Sequence, residues 1–176
     1  MTASDVVTLR VGAGELKIPA EDAARAYLEK FMLFDLEPSI PAHLAETPHP
    51  PIGSDMPGLG GLYAGILRGD DGAPDYRLFM PANQEALELP WGKALKHADG
   101  FEYAGHKDYS LPTRRELRLL YINLKEHFED AWYWSSEQLA GDSDFAWMQN
   151  FGNGNQGIGL KSNGCRVRLV RRVPIR

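Results

Sequence analysis

The sequence predicts an α+β fold, in which antiparallel strands pack against two helices and a small ββα unit comes first. Short runs of alternating apolar and polar residues, such as 145–151, are typical of half-buried strands. Residues 90–98 and 113–124 instead carry apolar side chains at helical spacing. Clusters of Gly, Asn and Asp separate these segments and are typical of tight turns.

The first 35 residues predict the ββα unit. Residues 6–11 and 15–18 have the composition of strands and flank a Gly-Ala-Gly turn, which favours a hairpin. Pro19 suits a helix start, and residues 20–31 have a helical apolar pattern. A unit of this size is too small to be stable alone. We therefore expect residues 1–35 to dock on the main domain or on a partner.

Residues 36–57 are rich in proline, which lacks the donor that a sheet ladder requires. The prolines are Pro38, Pro41, Pro48, Pro50, Pro51 and Pro57. We interpret this segment as a linker or arm, and residues 58–176 as the main domain.

The main domain begins with a predicted hairpin and a helix. Residues 60–68 and 76–80 read as strands around a turn at 69–74. The first helix is predicted to begin at Pro90, with one apolar face. That face comprises Trp91, Ala94, Leu95 and Ala98.

The second helix has a well-marked start. Thr113 and Glu116 have the spacing of a capping box, in which each side chain accepts from the backbone N–H of the other residue. An apolar stripe follows, formed by Leu117, Leu120, Tyr121 and Leu124. The remaining positions, Arg114, Arg115 and Arg118, are expected to face mainly solvent.

The C-terminal part predicts three or four antiparallel strands in sequence, at 132–137, 145–151, 156–161 and 165–171. The Asn/Gly cluster at 152–155 and the turn at 162–164 connect them. Phe145, Trp147, Gln149 and Phe151 should share one face of their strand. Trp134 and Trp147 are expected in the core rather than exposed.

The order LPTRRELRLLY, WYWSSEQ, AWMQNFGNGNQ and KSNGCRVRLVRR, over roughly residues 60–172, resembles the domains at the C-terminus of Legionella collagen-like proteins. Arg115, the SSEQ run at 135–138, Lys161-Ser162 and the VRR run at 170–172 look most like the phage and prophage branch. This family is grouped with the C-type-lectin-like domains and the formylglycine-generating enzymes. The resemblance implies a C-type-lectin-like domain with bent antiparallel sheets and two helices, and a binding fold rather than a reaction.

Composition excludes several classes of protein. The chain of 176 residues is 43% hydrophobic, which suits one ordinary domain with an attachment. A formal charge of −5 argues against a general nucleic-acid binder. The single cysteine, Cys165, excludes an internal disulfide and is expected to be a small buried residue at a strand start. Without an export signal or a long apolar run, we expect cytoplasmic synthesis, no membrane insertion, and a virion location if the role is structural.

The sequence gives no pattern for a metal, a cofactor or a catalytic residue. The histidines are scattered, at His43, His49, His97, His106 and His127. Asp142 and Asp144 are interpreted as a turn rather than a calcium site. Glu116 and Glu126 are interpreted as a cap and a surface residue. The cysteine pair of the formylglycine-generating enzymes is missing, so an enzyme on that scaffold is only an alternative.

In the retroelement-diversified relatives the ligand face lies on the last strands and their loops, which implies the stretches 147–156 and 161–166 here. The predicted ligand-binding residues are Trp147, Asn150, Asn153, Asn155, Gln156, Lys161 and Asn163. The same Asn residues could simply form turns. A second set of residues is expected to form an outward strand edge, or alternatively a polyanion site: Arg166, Arg168, Arg171, Arg172 and Arg176.

The resulting hypothesis is a non-enzymatic phage- or prophage-encoded binding module, associated with the virion or tail, that recognises a host-surface or protein ligand. The first alternative is a structural or assembly protein of the particle, for instance a homotrimer bound to other virion proteins. A second alternative is an intracellular factor that binds a host protein.

Overall fold

The computed structural model describes residues 6–11, 14–23, 25, 49–85 and 87–175. The chain forms two compact units, Met1–Pro48 and His49–Arg176, and each is described by itself. Most of the predicted helix over 20–31 and the predicted arm over 36–48 lie outside the described residues.

The N-terminal unit contains the predicted hairpin. Strand β1 (Val6–Val11) pairs antiparallel with β2 (Gly14–Pro19), and Val6 lies opposite Pro19. Residues 20–23 and 25 are helical, which agrees with the predicted helix start.

The first sheet of the second unit has the order β3-β4-β5-β12-β7. Its strands are β3 (Asp55–Met56), β4 (Gly61–Leu67), β5 (Tyr76–Met80), β7 (Tyr109–Ser110) and β12 (Val170–Pro174). The predicted hairpin is confirmed, since β4 and β5 pair antiparallel. The strands β3 and β7 were not predicted because two residues are too few to show alternation.

The second sheet has the order β10-β9-β8-β11-β6. Its strands are β6 (Leu87–Leu89), β8 (Trp132–Gln138), β9 (Phe145–Asn150), β10 (Gln156–Leu160) and β11 (Cys165–Val167). Strands β8, β9 and β10 are sequential and antiparallel, as predicted. The prediction that β11 continues this series is wrong: β11 crosses to the far side of β8, pairs with it in parallel, and pairs antiparallel with β6.

Buried and half-buried side chains alternate from Cys165 to Leu169, and the alternation breaks at Val170. Leu169 and Val170 are both buried, because the chain leaves the second sheet after Val167 and enters the first at Val170. Leu169 and Val170 therefore pack into different apolar clusters and do not lie on the two faces of one strand.

Two α-helices of the second unit match the predicted pair. They are α1 (Trp91–Asp99) and α2 (Arg114–Asn123), and single 3-10 turns lie at Pro57–Leu59 and Lys125–His127. The capping box of α2 is confirmed: the Thr113 hydroxyl accepts from the Glu116 N–H at 3.2 Å, and the Glu116 carboxylate accepts from the Thr113 N–H at 2.7 Å. None of the described helices is long and apolar enough to cross a membrane.

The helices cover opposite faces of the second sheet, which positions the core. One apolar cluster packs α2 between the two sheets; it contains Leu62, Ala64, Leu78, Met80, Leu117, Leu120, Leu124, Tyr133, Phe151 and Val170. The other packs α1 on the second sheet; it contains Ala94, Ala98, Tyr109, Leu111, Trp134, Ala146, Cys165, Val167 and Leu169. The α+β prediction is therefore confirmed, and Trp134 is a core residue with 1% exposure.

The C-terminal arginines do not form an outward strand edge, so that prediction is wrong. Strand β12 lies between β5 and β7, and β11 lies between β8 and β6. Arg171 pairs with Asp108 at 2.6 Å. Arg168 donates to the carbonyls of Gln84 and His127. These side chains tie loops to the sheets, whereas Arg176 lies outside the described residues.

Candidate functional site

An open cavity of about 820 Å³ lies beside the first turns of α2, and we call it the arginine cavity. Its apolar wall is formed by Leu67, Leu119 and Ile122, and the Ile122 side chain is 68% exposed. The polar lining consists of Asp70, Thr113, Arg114, Arg115, Arg118, Glu137 and Gln156.

Arg114 is held in place by its neighbours rather than projecting freely into solvent. Its guanidinium carbon lies 3.6 Å from the centroid of the Trp147 ring, a cation–π distance. The backbone N–H of Arg114 donates to the Glu137 carboxylate at 2.8 Å, and the backbone carbonyl of Arg114 accepts from the Gln156 side-chain amide at 2.8 Å. The buried Nε of Arg114 has no hydrogen-bond partner among the described residues.

The other two arginines of the cavity are also anchored. Arg115 pairs with Asp70 and donates to the Arg68 carbonyl at 3.0 Å. Arg118 donates to the Gly154 carbonyl at 2.8 Å. Arg115 and Arg118 are exposed, as expected. The sequence did not predict that both side chains also bond to other parts of the chain. The cavity lining contains three guanidinium groups and two carboxylates, those of Asp70 and Glu137, so its net charge is +1.

A buried carboxylate fixes the start of α2 beneath this cavity. Glu116 is fully buried and accepts from the Tyr76 hydroxyl at 2.8 Å and from the Arg172 Nε at 2.6 Å. Burial, and then the adjacent Glu116 charge, raise the pKa of Tyr76 to about 12. Burial alone would lower the pKa of Arg172, but the hydrogen bond and charge of Glu116 outweigh it and the pKa is raised. The cap residue is thus also half of a buried ion pair.

One of the predicted ligand-binding residues lines the arginine cavity, and a second contacts Arg114 of its lining. Gln156 lines the cavity and donates to both the Arg114 carbonyl and Gln149, the latter at 2.9 Å. Trp147 is half-buried and supports the Arg114 guanidinium. Gln149, which shares their strand face, is fully buried and donates to the Leu117 carbonyl of α2 at 3.1 Å.

The predicted asparagines of the last hairpin shape its turn. The Asn150 side chain accepts from the N–H groups of Gly152 and Asn153, at 2.8 and 3.1 Å. The Asn153 side chain accepts from the Asn155 N–H at 3.0 Å. Asn153 and Asn155 remain exposed, but the side-chain oxygens of Asn150 and Asn153 are occupied by the turn.

Lys161 and Asn163 lie apart from the arginine cavity. The Lys161 ammonium bonds to Gln138 and lies 4.3 Å from the Trp91 ring centroid. Asn163 lines a different cavity together with Trp132. The predicted face is therefore divided among four places. The sequence analysis assigned the arginines of α2 to solvent and so missed them. The sequence feature that could have indicated them is the presence of three arginines within five residues directly after a helix cap.

The described residues offer little for metal binding or covalent chemistry. No group of three His, Cys, Asp or Glu side chains within them could hold a metal ion. The Asp142 carboxylate accepts from the Asp144 N–H at 3.0 Å, which is the predicted turn. Cys165 begins β11 and is buried, as predicted, and burial raises its pKa to about 12. A thiol of this kind is not a nucleophile at neutral pH.

The comparison with protein families decides the affiliation of the chain. The family described as the Lcl C-terminal domain matches residues 73–171, a span that runs from the turn before β5 into β12 and includes both helices. The chain belongs to this family. The predicted relation to the C-terminal domains of Legionella collagen-like proteins is thereby confirmed. No curated protein matches the sequence.

Proposed function

We propose that this Lcl C-terminal domain is a non-enzymatic binding module, and that its arginine cavity holds a ligand with one anionic group and an apolar portion. The observation that carries the proposal is Arg114. This residue lines the cavity, and its guanidinium is stacked on Trp147 at 3.6 Å.

The size and wall of the cavity support a ligand of this kind. Small-molecule sites have volumes of about 300–1,000 Å³ and combine apolar walls with a few polar groups. The arginine cavity, at about 820 Å³, has this composition. Ile122 lies on the helix that packs the core, yet it is 68% exposed, so the apolar portion of a ligand has a surface to cover.

The charges of the cavity favour a single anionic group. Guanidinium groups bind carboxylates and sulfates through paired N–H donors. Arg115 is neutralised by Asp70, whereas the Glu137 carboxylate accepts from the backbone N–H of Arg114 rather than from its guanidinium. Since stacking on Trp147 already restricts the Arg114 rotamer, binding would cost little additional side-chain entropy.

The same side chains argue against catalysis at this site. Glu116 is enclosed by Thr113, Tyr76 and Arg172, so its carboxylate is occupied. Glu137 accepts from the Arg114 N–H. We therefore propose recognition rather than turnover, and no catalytic residue is assigned.

The wider role is part of this proposal. The order of sequence motifs supports a phage- or prophage-encoded protein, associated with the virion or tail, that recognises a host-surface or protein ligand. We also propose that the fold is C-type-lectin-like; two helices on opposite faces of a five-stranded sheet, and the β8–β10 meander, support this assignment.

The first test measures binding of benzoate, with benzyl alcohol as its neutral counterpart, by calorimetry on the purified chain. Benzoate should bind saturably and more weakly as salt is added. Arg114→Gln should weaken it about tenfold, because a hydrogen bond to a charged group contributes about 1.5–3 kcal/mol. Arg77→Gln, which removes an equal charge outside the cavity lining, is the matched control. Equal affinity for benzoate and benzyl alcohol would refute the proposed site. Equal benzoate affinity of the Arg114→Gln and Arg77→Gln variants would also refute it.

A second test separates recognition from a structural role. The chain and the Arg114→Gln variant are compared for retention on bacterial cell envelopes, and their oligomeric state is measured by light scattering. Saturable retention that the variant loses supports recognition through the arginine cavity. A stable oligomer with no retention would instead favour the assembly alternative.

A further inference from the structure

A second cavity, of about 340 Å³, lies over strands β8 to β11, and we call it the aromatic cavity. Trp132, Trp134 and Met148 provide its walls, and the backbone of Gly159 closes one side. Trp134 is buried, whereas Trp132 and Met148 are half-buried. The volume is near the lower end for ligand sites, which limits the occupant to a compact group.

Two glycines of β10 allow this arrangement. A Cβ at Gly159 would lie 3.0 Å from the Met148 sulfur and 3.2 Å from the Trp134 ring. A Cβ at Gly157 would lie 3.3 Å from the Trp132 ring. Larger residues at these two positions would force the Trp and Met side chains to move. The glycines therefore allow the walls of the cavity to lie close to β10.

The lining of the aromatic cavity includes one carboxylate, that of Glu88. Glu88 lines the cavity and is exposed, and none of the described residues donates a hydrogen bond to its carboxylate. The other charged group of the lining, Arg166, lies opposite Glu88 in the β6–β11 pair, and its guanidinium forms a salt bridge with Glu129 at 2.8 Å. After burial, Glu88 is a further cause of the raised pKa of the Cys165 thiol, so its charge acts on the cavity wall.

We propose that the aromatic cavity binds a methylated ammonium group of the choline type. Indole faces attract such cations through their quadrupole, and desolvated sites strengthen the attraction. The Trp132 ring and the polarizable Met148 sulfur would contact the methyl groups, while Glu88 supplies the counter-charge. A neutral apolar group would gain nothing from the Glu88 charge, and an anion would be repelled by it. This site differs in position and in charge from the arginine cavity, so it does not depend on the function proposed there.

The test uses choline chloride and its neutral isostere 3,3-dimethylbutan-1-ol in calorimetric titrations of the intact chain. Choline should bind saturably and about tenfold or more tightly than the isostere, since the two differ only in charge. Equal affinity for the two compounds, or no binding of choline, would overturn the proposal.

Glu88→Gln is the variant that tests the counter-charge, and Glu85→Gln, a nearby exposed position outside the cavity lining, is its control. We expect Glu88→Gln to weaken choline binding about tenfold, towards the affinity of the isostere, and Glu85→Gln to leave it unchanged. Far-UV circular dichroism and thermal unfolding check that both variants fold. Unchanged choline affinity in a folded Glu88→Gln chain would overturn the assignment.

Vesicles distinguish the source of the group. Retention on phosphatidylcholine vesicles but not on phosphatidylglycerol vesicles, lost in Glu88→Gln, supports the proposal with a lipid headgroup as the ligand. Choline binding without vesicle retention supports it with a free solute. Retention on phosphatidylglycerol alone would contradict the cation preference.

Discussion

Replacing Glu116 by Gln should destabilise the second unit by about 3 kcal/mol, because it leaves the Arg172 guanidinium without its counter-charge. Glu116 is fully buried and receives Arg172 through two nitrogens, each at 2.6 Å, as well as Tyr76 at 2.8 Å. Removing one partner of a buried pair costs about 3–5 kcal/mol. The Arg172 side chain is 32% exposed, which favours the lower end of that range.

Urea and thermal unfolding followed by tryptophan fluorescence measure this effect. All four tryptophans lie beyond residue 90, so the signal reports on the second unit alone. For a protein of this size, 3 kcal/mol corresponds to a decrease in Tm of about 6–12 °C. Glu126→Gln is the matched control, since Glu126 is exposed and its one ion pair among the described residues is with His127 at 3.7 Å; it should change stability by less than about 0.5 kcal/mol.

A double-mutant cycle identifies the partner. If the cost arises from the ion pair, Arg172→Met should destabilise strongly by itself but add little to Glu116→Gln. The reasoning would be refuted if Glu116→Gln lost less than about 1 kcal/mol, or if the costs of the two variants were simply additive.

Two further predictions concern the backbone and the tyrosines. Gly154 has φ +78° and a Cβ there would lie 2.7 Å from the Tyr121 ring, whereas Gly105 has φ +79° and open space around it. Gly154→Ala should therefore cost about 1–3 kcal/mol more than Gly105→Ala, and equal losses in urea unfolding would show that the contact with Tyr121 is unimportant. Burial raises the pKa values of Tyr76 and Tyr109 to about 12, so absorbance titration at 295 nm should show late ionisation that Tyr76→Phe and Tyr109→Phe each reduce. Because these pKa values exceed the unfolded value of about 10, the associated stability is complete below pH 10 and is lost as pH rises towards 12; ionisation of every tyrosine near pH 10 in the folded chain would contradict this.

Local signals account for the elements that the sequence predicted correctly. The capping box needs only Thr113 and Glu116, three residues apart, and a helical stripe or an Asn/Gly turn is equally local. The strand β11 was misplaced because its partners are distant: it pairs with Tyr133 of β8 and with residues 87–89 of β6. Alternation in one segment cannot reveal which strand lies beside it.

The candidate site was predicted less well for the same physical reason. Periodicity placed Arg114 on the polar face of α2, but its role depends on Trp147, which lies on a strand of the second sheet. Arg172 looked like a solvated charge beside other arginines, yet it pairs with Glu116, 56 positions earlier in the chain. Gln156 and Trp147 were among the predicted ligand-binding residues because the resemblance implies a ligand face on the last strands and their loops.

The Glu116–Arg172 ion pair and the arginine cavity are connected through the first turns of α2. Glu116 joins the Thr113 N–H to Tyr76 of β5 and Arg172 of β12, so the first turn of α2 is fixed to the first sheet. Arg114 and Arg118, which project from the first two turns, are then fixed to the second sheet through Trp147 and the Gly154 carbonyl. The cavity lining is thus attached to both sheets, and a site held on rigid elements can keep the Arg114 guanidinium in position before a ligand arrives. This preorganisation suits recognition, because little conformational entropy remains to be lost on binding.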